Sequence, residues 1–151
     1  MTLYETLFAL TSVAMPFWLL MILLPSWRVT RLLASLAVFP LYLAVLYAVG
    51  LVTAIGDTGF GFIQDFGSAE GVIRLLSHPD FALLAWIHLL CFDLAIGHSI
   101  YRDNMEHHYV PRPVQSILLF LVLMFGPFGW LCYLAIRRIR RTKAAQDAHS
   151  Q

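Results

Sequence analysis

Four apolar stretches, each long enough to cross a lipid bilayer as a helix, limit what this chain can become. They run roughly over residues 3–24, 29–55, 81–101 and 114–136. A helix needs about 20 mostly apolar residues to span the hydrocarbon core. The stretches are too long for strands, and lipid offers no partner to an open backbone, so helices are expected. The expected fold class is all-α: a polytopic membrane protein built as a four-transmembrane-helix bundle. A single domain over 1–143 and a polar C-terminal tail over 144–151 complete the expected organisation. The composition agrees, being 60% hydrophobic and 13% charged, where a soluble domain sits nearer half and a quarter.

The connections are short except between the second and third stretches. There GDTGFGFIQDFGSAEGVIRLLSHPD is Gly-rich and mildly acidic. Its centre, SAEGVIRLLS, pairs a capping signal at Ser68–Glu70 with apolar Val72, Ile73, Leu75 and Leu76. A short interfacial helix is expected there, with Pro79 in the first turn of the third span. The opening MTLYET holds Glu5 and no Lys or Arg, so the first stretch is expected to stay as a membrane helix rather than serve as a secretory signal. Cys91 and Cys132 both fall in apolar runs, and no disulfide is expected. A net charge of +1 draws no nucleic acid.

Four crossings would put both termini on one side, together with Arg74, Arg137, Arg138, Arg140, Arg141 and Lys143, against Arg28, Arg31, Arg102 and Arg112 opposite. The positive-inside rule then favours cytoplasmic termini and a multi-pass protein of the cell inner membrane.

The chemistry concentrates in AWIHLLCFDLAIGHSIYRDNMEHH, residues 85–108. Asp93 sits about twelve residues into the third stretch, close to the bilayer centre at 1.5 Å per residue. A carboxyl there costs about 2.5–3.5 kcal/mol on insertion scales and normally faces protein with a partner. Low-dielectric surroundings favour its neutral form, which can donate a proton. It reads either as that acid or as a packing group bonded to a neighbouring helix. His88 lies about 140° around the same helix from Asp93, and it either flanks the same cavity or meets another helix. Trp86, Leu90, Asp93 and Gly97 share one stripe. Thr11, Ser12 and Pro16 in the first stretch, Pro40, Tyr42 and Tyr47 in the second, and Gly126–Pro127 in the fourth lie at similar depth. Small residues and proline breaks at that level could open a cavity to lipid. Asp103, Glu106, His107 and His108 cluster in sequence, but there is no HxxxH or HxxHH spacing, and no tightly bound metal is expected.

The run Trp86-Ile87-His88-Leu89-Leu90, Phe92-Asp93-Leu94, then Tyr101-Arg102-Asp103, resembles the abscisic-acid-deficient-four family of plants and its bacterial relatives. Leu7-Phe8-Ala9-Leu10, Pro16-Phe17 and the Gly126-Pro127 break are similar too. The resemblance covers nearly the whole chain, lacks a chloroplast transit peptide, and so looks like a bacterial member. It implies a membrane protein linked, in plants, to conversion of violaxanthin to neoxanthin. Opening a 5,6-epoxide to an allenic alcohol is an isomerisation that needs an acid, a base and no cofactor. That implies Asp93 and His88 as the catalytic pair, Tyr101 and Asp103 as proton relays, and Trp86, Gly97, Gly126, Pro127, Thr11 and Ser12 around the substrate. The expected ligand is a membrane lipid or carotenoid-like apolar molecule, with a second copy or a carotenoid enzyme as possible partner. The competing expectation is a non-catalytic protein that binds pigment or assembles with a carotenoid enzyme.

Overall fold

In a computed structural model, every regular element among the described residues is helical. The structure describes residues 2–149, and side chains as far as Thr142. The side chains of the expected 144–151 tail lie outside that range. Seven α-helices are defined: α1 Leu3–Leu23, α2 Arg28–Ser35, α3 Val38–Thr58, α4 Ala69–Leu76, α5 Pro79–His107, α6 Arg112–Phe125 and α7 Pro127–His149. α1, α3 and α5 are long and apolar enough to cross a membrane, and α6 is a shorter apolar helix. Many large apolar side chains face outward, among them Leu41, Val52, Leu89, Ile117 and Phe120. Water would penalise such a surface, whereas acyl chains solvate it.

The helix ends follow local chemistry. Thr2 caps α1 with a full capping box: its Oγ1 accepts from Glu5 N at 3.2 Å, and its own N donates to Glu5 Oε2 at 2.7 Å. α1 tightens into a 3-10 turn over Ser12–Ala14 before Pro16. The second apolar stretch is divided. α2 ends at Ser35, Ala37 takes a left-handed backbone at φ 51°, and α3 begins at Val38 with Pro40 in its first turn. Pro40 has no N–H to carry a helix back through this point. Ser68 caps α4 by accepting from Gly71 N at 3.0 Å, so a short helix forms in the long connection. The fourth stretch is divided too. α6 stops at Phe125, Gly126 turns at φ 40°, and α7 restarts at Pro127.

Two compact units contain these elements, Met1–Met15 with Pro40–Cys91, and Pro16–Phe39 with Phe92–Gln151. In the first, Tyr4, Ala54 and Leu84 form a buried centre against which Tyr47, Leu51 and Phe81 pack. A Cβ on Gly50 would meet Leu84 Cδ1 at 2.8 Å and Leu7 Cδ1 at 3.2 Å, so glycine sets the approach of α1, α3 and α5 there. Tyr42 Oη donates to Leu10 O at 3.0 Å. In the second unit Phe17, Met21, Leu94, Ile100, Leu119 and Val122 are buried. Phe17 stacks on Phe39 with centroids 4.7 Å apart.

Candidate functional site

The first unit holds a cavity of about 470 Å³, within the usual range for small-molecule sites. Helix periodicity builds its walls. Tyr47, Leu51 and Ile55 recur every fourth residue along one face of α3, and Phe81, Leu84, Ala85 and His88 lie on one face of α5. The segment Gly61–Gly67 closes it with Phe62, Ile63 and Phe66, and Leu75 and Leu76 of α4 complete the lining. Gly71 lets α4 approach the backbone of Asp65, where a Cβ would clash, and Arg74 of α4 pairs with the Asp65 carboxylate. Phe62 packs against Phe81 at 5.4 Å and edge-on to Phe66 at 6.3 Å. Only His88 and Tyr47 bring polar side-chain groups into this lining, and their rings pack together at 4.9 Å and 56°. The arrangement suits an apolar ligand with one polar end.

In the second unit Asp93 packs against the turn at Gly126. A Cβ built on Gly126 would collide with Asp93 Oδ1, so only glycine fits beside the carboxyl. Gly97, one turn further along α5, receives the indole ring of Trp18 in the same way.

Further along α5 the polar groups are tied down. His98 is buried and its Nε2 donates to Ala34 O, a carbonyl at the end of α2, at 2.6 Å. Tyr101 is buried and its hydroxyl donates to Pro25 O at 2.5 Å. Asn104 and Gln115 form a buried pair. Asn104 Nδ2 donates to Gln115 Oε1 at 2.5 Å and to Val110 O at 3.0 Å, while Asn104 Oδ1 accepts from Val110 N at 2.8 Å. Asp103 is the hub of a charged cluster. Tyr133 Oη donates to its Oδ2 at 2.5 Å, Arg137 Nε lies 3.1 Å from that oxygen, and His107 Nδ1 lies 3.4 Å from Oδ1. The His107 ring stacks on Tyr109, over which the Arg137 guanidinium also sits at 5.6 Å.

The profile of ABA DEFICIENT 4-like proteins matches residues 6–133. The chain belongs to the ABA DEFICIENT 4-like family. It is 28% identical over 133 residues to Protein ABA DEFICIENT 4, chloroplastic, of Arabidopsis thaliana, covering 85% of this chain. It spans only 59% of the length of that relative. No solved structure matches.

Within this ABA DEFICIENT 4-like chain, the residues singled out from sequence fall in both units. His88 lines the first unit's cavity, and Asp93 is not among its lining residues. Trp86 is half exposed and turned from the cavity lining. Thr11 is buried, with its hydroxyl donating to Phe8 O at 2.6 Å, while Ser12 is exposed. Pro127 opens α7 directly after Gly126. Asp103 pairs with Arg137, not with the neighbouring Arg102 or Arg112. Among the described residues no three His, Cys, Asp or Glu side chains gather as a metal site would need. Sequence reasoning missed the aromatic wall of Phe60, Phe62, Phe66 and Phe81, whose signal was the phenylalanine-rich run GFGFIQDF after α3. It missed the Asn104–Gln115 pair and Tyr133 as well.

Proposed function

We propose that this member of the ABA DEFICIENT 4-like family takes the cyclic end of a carotenoid-like isoprenoid into the cavity of Tyr47, Phe62, Phe66, Phe81 and His88, and isomerises it there by acid–base chemistry. The observation that carries the reading is an imidazole packed against a phenol in a cavity whose other lining residues are apolar. The resemblance to a family linked to neoxanthin synthesis supplies the substrate class.

The chemistry balances without a redox partner. The epoxide oxygen gains one proton as its C–O bond breaks, and a carbon of the polyene side loses one as the allene forms. His88, as the neutral imidazole, takes the carbon-bound proton. The Tyr47 phenol, packed on that ring, gives the other, and the imidazolium returns its proton to Tyr47. The proposal assigns the acid to Tyr47 because it lines the cavity with His88. Asp93 then serves the turn at Gly126. Pigment analysis of a xanthophyll-producing membrane with wild type or His88→Ala tests the reading. Wild type should convert an epoxy-xanthophyll to an isomer of equal mass, and the variant should not.

A second reading, a pigment-binding protein without catalysis, draws on Tyr101, His98 and Asp103. All three are polar residues of α5, and all are engaged in contacts that hold helices together. Under it, wild type binds the same pigment and leaves it chemically unchanged.

A further inference from the structure

α6 and α7 run antiparallel, as three contacts along α5 show. At one end the Gly126 turn abuts Asp93. At the other, Gln115 of α6 bonds Asn104, and Tyr133 and Arg137 of α7 reach Asp103. Between them Gly129 packs directly on Val122, where a Cβ would meet Val122 N at 2.5 Å. The lengths match. From Asp93 to Asp103 is ten helical residues, about 15 Å, and from Gly126 to Arg137 is eleven, about 16 Å. The fourteen residues of α6 reach about 21 Å, short of a hydrocarbon core about 30 Å thick.

We infer that the last apolar stretch enters the bilayer and returns, so that the C-terminal arginines lie on the same side as the α5–α6 connection, and that this side is the one facing the anionic headgroups of the cytoplasmic leaflet. A fourth crossing would carry Arg137 about 30 Å from Asp103; they lie 3.1 Å apart. The α1–α2 connection joins the same side, because Tyr101 bonds Pro25 O, Ser116 Oγ donates to Ile22 O at 2.5 Å, and Trp27 and Arg112 line one surface groove. The charges then separate sharply. Arg28, Arg31, Arg102, Arg112, Arg137, Arg138, Arg140, Arg141 and Lys143 fall on one side, nine of the ten Lys and Arg. By crossing parity, the N-terminus and the α3–α5 connection fall opposite, with Arg74 alone among five acids, Glu5, Asp57, Asp65, Glu70 and Asp80. Nine against one is the asymmetry the positive-inside rule rewards, and juxtamembrane cations gain about 1 kcal/mol each at an anionic surface. The count of six against four, read with a fourth crossing, is weaker by comparison.

The test is cysteine accessibility in the full-length protein, with Cys91 and Cys132 replaced by Ala and a single cysteine placed by Thr2→Cys, His108→Cys or Thr142→Cys, all exposed positions. In intact spheroplasts a membrane-impermeant maleimide should label Thr2→Cys at least tenfold more than the other two, which should label only after lysis. Labelling of Thr142→Cys together with Thr2→Cys, and apart from His108→Cys, overturns the re-entrant pair. Labelling of His108→Cys and Thr142→Cys before lysis overturns the assignment of the side. A chain carrying Asp103→Cys and Arg137→Cys supplies a check that needs no sidedness. Treated in the membrane with a short bifunctional thiol crosslinker, it should link within one chain, and absence of that link in the folded protein counts against the pair.

Discussion

Arg137 of α7 and Asp103 of α5 form an ion pair with Nε 3.1 Å from Oδ2, and Tyr133 donates to the same oxygen at 2.5 Å. The contact fastens the returning arm of the α6–α7 pair to α5. Asp103 keeps 19% of its side-chain exposure and Arg137 32%, so both are partly shielded from water and from salt screening. Replacing Asp103 with Asn leaves Arg137 half-buried without its counter-charge. A loss of about 1–3 kcal/mol is expected. Thermal inactivation in detergent should show it, and adding Tyr133→Phe to Asp103→Ala should cost less than Tyr133→Phe alone, because Ala has already removed the oxygen to which the hydroxyl donates.

The buried Asn104–Gln115 pair should matter more. Asn104→Leu strands Val110 N, Val110 O and Gln115 Oε1 away from water. Each unsatisfied group costs about 1–3 kcal/mol, so the variant should fall in membrane abundance severalfold, measured by quantitative blotting. Gln115→Leu, which spares the two Val110 bonds, should be milder.

Gly126→Ala is expected to destabilise through two causes, a left-handed backbone at φ 40° and a collision with Asp93 Oδ1. Asp93→Ala removes only the second. The double variant should therefore recover part of the lost stability, read as the midpoint of thermal aggregation. Equal loss in single and double variants would show that the carboxyl does not bear on the turn.

Asp93→Asn keeps the shape beside Gly126 and removes the acid. With Tyr47 as the proton donor, this variant at wild-type abundance should keep at least half of the wild-type pigment conversion. Tyr47→Phe, which keeps the ring against His88, should lose at least tenfold. The reverse pattern would move the acid from Tyr47 to Asp93.

Much of this was legible in the residues. Four apolar stretches, the Ser68 cap and Pro79 each act through local chemistry, and α4 and α5 start where those signals stand. The interruptions were less legible. Gly126–Pro127 was visible as a break, but a break alone does not say whether a helix kinks or turns back. That depends on Gly129 packing on Val122 and on Asp103 reaching Arg137, contacts set by tertiary packing. The Ala37 turn had weaker warning, since Pro40 can sit in the first turn of one helix or kink a longer one. At the site, His88 stood out because an imidazole in an apolar helix is costly. Its surroundings did not, because phenylalanines in a connecting loop carry no period that points them at a helix.

The aromatic wall gives a graded test. Phe66 is 61% exposed, so Phe66→Ala should barely change stability. The ring would be covered by a ligand, and losing about 1 kcal/mol of that burial corresponds to roughly five- to tenfold weaker binding. Fluorescence quenching by a carotenoid-like ligand in detergent micelles would measure it.

The most direct measurement is the pigment profile of a xanthophyll-producing membrane carrying wild type or His88→Ala at equal abundance. Wild type is expected to lower an epoxy-xanthophyll and raise an isomer of the same mass, while His88→Ala should leave the profile as in membranes without the protein. Equal conversion by both forms, or no conversion by wild type, would contradict it.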